Sequence, residues 1–384
     1  MVEARVPAEA FPPGDWIREG LEDHGWTQSD LAEILGRPLQ LVNELIAGKK
    51  TITPETAKGL AQAFETSAQF WLNLDAAYQL NITRDADPSI GLRARIYSKA
   101  PVREMVKRQW IENSSNPRVL EQRVLEFLGI NDLDEKPNVV PAAARMSTSY
   151  EALTPSQWAW LCQARRLGML ASVRGKFNAK SFETTHLERL NKLLSDPEEV
   201  RHVPRVLADA GIRFVVVEHL KKTRIDGACL WLDAESPIIA VSLRYDRIDY
   251  FWFTLMHEVK HALSGDGVET GILTIDIDLV GESQADREQR PDFEKEADSF
   301  AENALIPQSL LDDFIIRKEP LFSEQLIRGF AAYNRIHPGL VVGQLQHRGT
   351  IGYSKFRNLL VKVRDAVTEA ALTDGWGHIV PSGI

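Results

Sequence analysis

Hydrophobic positions in residues 1–80 fall into short blocks at helical spacing, each closed by a helix-stopping residue. Trp16, Ile17 and Leu21 mark a first helix, broken near Gly25. Thr27 is placed to cap a second, QSDLAEIL, which stops at Gly36. A third runs from about Pro38 to Ile46 and ends at Gly48; Thr53 and Pro54 open a fourth; SAQFWLNLDAAYQL makes a fifth. Residues 81–205 read as a helical linker domain, with helices around Val102–Trp110, Pro117–Phe127, Pro155–Leu167 and Ser181–Leu194 and a joint from Asn131 to Pro141. In residues 206–312 the pattern changes. IRFVVVEHL, GACLWLD and IIAVSLRY have the β-branched character of strands, the last two joined by the short turn AESP as an antiparallel hairpin, and LTIDIDLV alternates as a further strand. Two helices, FWFTLMHEVKHALS and FEKEADSFAENAL, complete this part. Residues 313–384 return to helix, with the last dozen residues frayed. The predicted class is α+β: an N-terminal all-α helix-turn-helix domain, a helical middle region, a domain with a small antiparallel sheet, and C-terminal helices packed against it.

Length and composition narrow this picture. With 384 residues the chain is too long for one ordinary domain, and 44% hydrophobic with 26% charged residues is a globular balance rather than a disordered one. The densest apolar run, Tyr250 to Met256, is far too short to span a bilayer. The start, MVEARVPAEAFPPGDW, lacks a basic stretch followed by an apolar core, so no secretory signal is expected. Cys162 and Cys229 make neither a disulfide framework nor a cysteine metal site, and a reducing, cytoplasmic compartment is expected. A net charge of −9 argues against a generic nucleic-acid coat protein. The basic cluster Arg93, Arg95, Lys99, Arg103, Lys107 and Arg108 reads as a solvated helix face rather than a phosphate track.

The strongest chemical signal is HEVKH: His257, Glu258 and His261. Residues four apart lie one helical turn apart on one face, so two imidazoles can bind one Zn²⁺ while Glu258 points toward a metal-bound water. A chance match in a chain this long is roughly a one-in-a-hundred event. The residues before it are apolar on nearly every side, so the helix is expected to be buried. Buried histidines and a buried glutamate need partners or a metal. The extended pattern HExxHxxGxxH is absent, because Ser264 and Gly267 stand where glycine and histidine are required. Glu294 on the second helix is the candidate third ligand, with Glu296 as its competitor on a different face, and Asp298, four residues on, is placed to orient a ligand imidazole. The implied chemistry is zinc-assisted amide hydrolysis with Glu258 as general base. Tyr245, His337 and His347 are candidate oxyanion donors that sequence does not rank. IIAVSLRY, read as an edge strand, is a candidate to accept an extended peptide.

The segment QSDLAEILGRPLQLVNELIAGKK reads as a helix-turn-helix, with its turn at Gly36-Arg37 and a second helix shaped for a major groove. Gln28 is a candidate phosphate contact, Gln40 and Asn43 are candidate base readers, and Arg37, Lys49 and Lys50 are candidate phosphate contacts. Residues 1–80 hold six basic residues (Arg5, Arg18, Arg37, Lys49, Lys50, Lys58) against twelve acidic ones, which predicts weak DNA binding or binding as a dimer. The competing reading is a five-helix protein-interaction module. EQLIRGFAAYNRIHPGLVVGQLQHRG has the spacing of a second helix-turn-helix, but packing beneath the metal segment is the expectation.

On these residues the segment Arg18–Leu80, with TQSDLAEILG, GKKTITPETAKGLAQAF and SAQFWLNLDAAYQL, resembles the HigA-type antitoxins of the XRE regulator class. The segment from about Gly211 to Pro307, with GACLWLD, VSLRYDRIDYFWFTLMHEVKHAL and FEKEADSFAENALIP, resembles the ImmA/IrrE metallopeptidases, and IHPGLVVGQLQHRG is similar to the C-terminal stretch of longer fused members. The resemblance implies a zincin-like, gluzincin-type fold with one catalytic zinc on His257, His261 and Glu294 and with Glu258 as base. It further implies cleavage of a repressor, toxin or other partner protein in a stress, toxin–antitoxin or mobile-element circuit. Two functions are therefore expected to compete. One is a site-specific zinc endopeptidase coupled to a DNA-binding regulator, which reads operator DNA as a homodimer. The other is a HigA-like antitoxin and repressor whose metal-binding domain senses or scaffolds.

Overall fold

The structure, a computed structural model, describes residues 11–83, 87–137, 139, 153–268, 274–277 and 290–375. Arg5, the end of the expected joint, the flanks of the LTIDIDLV strand and most of the expected frayed tail lie outside the described residues. The chain divides into two compact units, Met1–Pro88 and Ser89–Ile384, so the boundaries expected at 205/206 and 312/313 both fall inside the second.

Unit 1 has the five expected helices: α1 Pro13–His24, α2 Gln28–Leu35, α3 Leu39–Ile46, α4 Pro54–Ala63 and α5 Ala68–Ile82. Local chemistry sets their ends. The Thr27 hydroxyl accepts the Asp30 N–H while the Asp30 carboxylate accepts the Thr27 N–H at 2.7 Å, a reciprocal cap on α2. Gly36 closes α2 with φ +62°, a left-handed conformation that glycine adopts without a Cβ penalty, and this turns the chain into α3. Ile17, Leu31, Val42, Leu60 and Trp71 bring all five helices into one core. Asp75 on α5 is buried and accepts the Ile52 N–H at 3.1 Å, which fixes the loop after α3 to α5.

Unit 2 is built on a five-stranded sheet: β1 Arg213–Val216, β2 Ile225–Trp231, β3 Pro237–Val241, β4 Thr274–Ile277 and β5 Leu372–Thr373, in the order β4-β2-β3-β1-β5. The β2–β3 hairpin is antiparallel, as expected from the AESP turn. The sheet as a whole is mixed rather than antiparallel, because β1 runs parallel to both β3 and β5. A hairpin is fixed by its own short turn, whereas these parallel pairings join segments far apart in the chain. IIAVSLRY is also not an edge strand. β3 bonds β1 on one side and β2 on the other, so it has no free edge for a peptide; among the described residues the edges are β4 and β5. β5 lies where the C-terminal helices were expected to give way to a frayed tail.

Alternate side chains point to opposite faces of the sheet, and both faces are covered. Val215, Ile238 and Ala240 pack with Trp160, Met105 and Val124 of the preceding helices. Phe214, Val216, Ile239 and Val241 pack with Trp252, Leu255 and Val259 of the helix Ile248–Ser264, here the site helix. The middle helices therefore belong to the same body as the sheet. Trp160 on the helix Pro155–Leu170 donates its indole N–H to Val217 O at 2.9 Å. The helix Ser89–Lys99 was not predicted, because Ile96 alone among its residues is buried and its apolar period is weak. Most of the basic cluster secures backbone and acids: Arg93 donates to Ser115 O, Arg95 pairs with Asp134, and buried Arg108 donates to Glu218 O and His219 O and pairs with Asp374.

The helices Glu324–Asn334 and Pro338–His347, the latter here the cover helix, share the core of the site helix. Leu340, Val341, Val342 and Leu345 are buried, so the cover helix cannot enter a DNA groove, and the second helix-turn-helix is set aside in favour of packing. Replacing Asp75 with alanine should lower the stability of unit 1 by about 1–3 kcal/mol through the orphaned Ile52 N–H, while Asp75→Asn should recover most of it. Thermal unfolding of the full chain checks this; equal melting of all three proteins would contradict it.

Candidate metal centre and nucleic-acid interface

The site helix is deeply buried, with Phe251, Trp252, Leu255 and Met256 enclosed. It stops at Gly265, whose φ of +69° turns the chain back so that the Asp266 N–H reaches His261 O at 3.0 Å. Opposite lies the helix Asp292–Leu305, the facing helix. The two run antiparallel: His261 meets Phe293 and Glu294, and His257 meets Glu294 and Asp298.

Three of the predicted residues converge. His257 Nε2 lies 3.1 Å from Glu294 Oε2, His261 Nε2 lies 3.6 Å from the same oxygen, and the two Nε2 atoms are 2.9 Å apart. All three side chains are buried. Around a tetrahedral zinc with bonds of about 2.0–2.1 Å, adjacent ligand atoms stand about 3.3 Å apart, and the three observed separations bracket that value. The donor chemistry fits too. Asp298 Oδ1 lies 3.0 Å from His257 Nδ1, and Asp266 Oδ2 lies 2.9 Å from His261 Nδ1. At His261 the Asp266 carboxylate holds the Nδ1 proton and leaves the Nε2 lone pair facing inward, and Asp298 stands near enough to His257 Nδ1 to favour the same arrangement. Arg290 in turn holds Asp298, Nη1 to Oδ2 at 3.1 Å. The residues present therefore fit a zinc ion.

Electrostatics agree with this mutual matching. Burial drives the Glu294 carboxyl up, but its hydrogen bonds with His257 and His261 outweigh burial and hold it well below the usual carboxylate range. Burial drives the His261 imidazole down, and the hydrogen bonds with Asp266 and Glu294 outweigh it, leaving a net rise. Cys229 on β2 is no thiolate donor: burial first, then Glu258 and Asp266, push its thiol well up.

Glu296, the competitor to Glu294, faces solvent and lies 3.8 Å from Lys260. Glu258 is fully buried and pressed on β2, where a Cβ at Gly227 would stand 2.4 Å from Glu258 Oε1. Gly227 is thus what lets the carboxylate lie against the strand. The three candidate oxyanion donors separate. His337 caps the cover helix, its Nδ1 accepting the Gly339 N–H at 3.0 Å, and is structural. Tyr245 packs at a tilt against Tyr250, ring centroids 5.0 Å apart, beneath Arg244. His347 lies beside Phe253 and 3.6 Å from Glu302. Sequence reasoning missed Asp266, Arg290 and Gly227. The one available signal was Gly265, which closes the helix and returns the next residue to the last turn.

In unit 1 the six predicted DNA-contact residues, Gln28, Arg37, Gln40, Asn43, Lys49 and Lys50, are all exposed. Several are engaged locally. Gln40 Nε2 donates to Glu44 Oε1 at 2.8 Å, Lys50 lies 3.8 Å from Glu44, and Arg37 pairs with Glu55. The acidic excess therefore acts on the candidate interface itself.

Comparison with known proteins concerns this module. The helix-turn-helix family model matches residues 17–71. Virulence-associated protein I of Dichelobacter nodosus is 33% identical over 84 residues, 22% of this chain and 78% of that protein. The uncharacterized HTH-type transcriptional regulator YbaQ of Escherichia coli K12 is 41% identical over 69 residues, 18% of this chain and 61% of that protein. Among solved structures, PA4674 of Pseudomonas aeruginosa in complex with its operator DNA is 32% identical, over 19% of this chain and 81% of that one, with a TM-score of 0.19. The Pseudomonas aeruginosa antitoxin HigA with the higBA promoter is 29% identical, over 21% and 98%, also with a TM-score of 0.19. Among the described residues no helix is long and apolar enough to cross a membrane. Through its N-terminal module, the chain belongs to the helix-turn-helix family.

Proposed function

We propose that unit 2 is a zinc-dependent endopeptidase and that unit 1 couples it to operator DNA. The observation that carries the peptidase reading is the buried meeting of His257 Nε2, His261 Nε2 and Glu294 Oε2, with a carboxylate behind each imidazole and Glu258 next to His257 in the chain. Zinc held there would supply Lewis acidity toward a peptide carbonyl and lower the pKa of water. The chain's own residues do the rest. Asp266 keeps the His261 Nε2 turned inward through its hydrogen bond, and Asp298 beside His257 Nδ1 supplies the matching negative charge. Glu258 takes one proton from the attacking water and passes it to the amide nitrogen as the C–N bond breaks, so the water oxygen ends on the acyl carbon and the amine leaves neutral. The substrate class is a polypeptide, and a partner protein such as a repressor or toxin suits a peptidase joined to a regulator.

The second reading is a repressor whose triad holds metal for sensing or scaffolding. It draws on the family membership of unit 1 and on the exposed Gln40 and Asn43 of α3. The solved structures of PA4674 and HigA are with operator and promoter DNA respectively, and DNA reading is proposed for α3 here, in a homodimer on a two-fold operator.

Glu258→Gln should retain one zinc per chain and lose cleavage of a partner repressor by about 10²–10⁴-fold, whereas His257→Ala should lose the metal. Metal analysis beside a cleavage assay checks both; undiminished cleavage by Glu258→Gln would contradict the role of Glu258. For unit 1, Asn43→Ala should weaken binding to the chain's own promoter by about 1–3 kcal/mol. Glu44→Gln should strengthen binding by releasing Lys50 and removing a like charge from the phosphates. Mobility-shift titrations at several salt concentrations decide, and the absence of any salt-sensitive shift at micromolar protein would remove the DNA arm.

A further inference from the structure

The strand β2 runs beside the site helix and in step with it. Gly227, Cys229 and Trp231 alternate onto one face of the strand, where Gly227 meets Glu258 and the other two pack with Ala262. Four strand residues cover about 13 Å, and the eight positions from Glu258 to Asp266 cover about 12 Å at helical rise, so Trp231 comes level with the turn that ends the helix. There its indole N–H donates to Asp266 O at 2.8 Å. Asp266 is thus held at three points. Its carbonyl takes the Trp231 bond, its own N–H reaches His261 O at 3.0 Å, and its carboxylate meets His261 Nδ1 at 2.9 Å.

We propose that Trp231 is a positioning residue of the metal centre, acting through Asp266 to aim the His261 imidazole; the inference rests on the metal-binding reading of the triad. The two carboxylates behind the imidazoles are placed differently. Asp298 sits within the facing helix, where Arg290 holds it. Asp266 lies beyond the end of the site helix, between Gly265 at φ +69° and Gly267 at φ +87°. A turn between two glycines has little of its own to fix a side chain. The anchor comes from the sheet. β2 is the strand between β3 and β4, bonded to both, so the backbone that carries Trp231 cannot slide. The Trp231 ring is buried, with Phe177 edge-on to it at 6.1 Å. An indole has one donor, and here that donor passes the rigidity of the sheet to a carboxylate that the turn alone would place. One strand face therefore serves two roles: Gly227 gives Glu258 its place, and Trp231 gives His261 its aim.

Zinc dissociation constants of the full-length protein are measured by competition with a chromophoric chelator. Asp266→Ala should weaken zinc binding about 10–100-fold. Trp231→Phe keeps a ring in place and loses the N–H; acting one step further from the ion, it should weaken binding about three- to tenfold. The double variant decides the route. A residue that works through Asp266 has no further effect once Asp266 is alanine, so the double variant should bind zinc as Asp266→Ala does. Should Trp231→Phe fail to fold, Phe177→Leu, which loosens the indole from its far side, goes through the same comparison with a weakening of about twofold or more expected. Unchanged zinc affinity in these variants overturns the proposal. A loss that persists undiminished in the double variant overturns it too, leaving Trp231 a packing residue. Wild-type protein that binds no zinc overturns the metal-site reading and this inference with it.

Discussion

Burying an ionisable side chain costs several kcal/mol unless it is matched, and the site helix buries three within five residues. His257, Glu258 and His261 lie inside a helix whose other residues hold the core of unit 2 together, so the helix cannot swing outward to hydrate them. The surrounding structure answers that cost locally. For the imidazoles, Glu294 comes from the facing helix, Asp298 one turn further along it and Asp266 from the turn that ends the site helix, while Gly227 on β2 makes room for Glu258. Much of the architecture follows from this. The sheet supplies a flat floor, the facing helix runs antiparallel so that its acids fall opposite the imidazoles, and the cover helix closes the flank at Gly343.

The same accounting gives unit 1 a different character. Its charges lie on the surface, where pairs such as Arg37–Glu55 and Lys50–Glu44 contribute little to stability. They matter instead for what the surface can bind. A recognition helix that carries Glu44 beside Gln40 meets phosphates with less attraction than a basic one, and any preference must come from base edges and from doubling the contact in a dimer. On the proposed reading, weak and reversible DNA engagement suits a regulator whose persistence is governed by proteolysis.

What the sequence disclosed and what it hid divide along a physical line. The caps of α2 and α4, the Gly36 turn and the β2–β3 hairpin are local, and they were legible because each depends on residues a few positions apart. So was the triad, since helical periodicity puts His257 and His261 on one face, and Glu294 and Asp298 on another, before any contact is known. The parallel pairing of β1 with β3 and β5, the central place of β3 and the merging of the middle helices with the sheet depend on long-range packing that periodicity does not encode. Asp266 and Gly227 were hidden for the same reason. One acts through a backbone reversal, and the other acts through the side chain it lacks.

On the proposed reading, His257 Nε2, His261 Nε2 and Glu294 Oε2 hold a zinc ion. Zinc K-edge X-ray absorption on purified full-length protein tests it most directly. One zinc per chain is expected, with two imidazoles and a carboxylate oxygen at about 2.0–2.2 Å. Protein that retains no zinc after dialysis, or a coordination shell without imidazole, would contradict it.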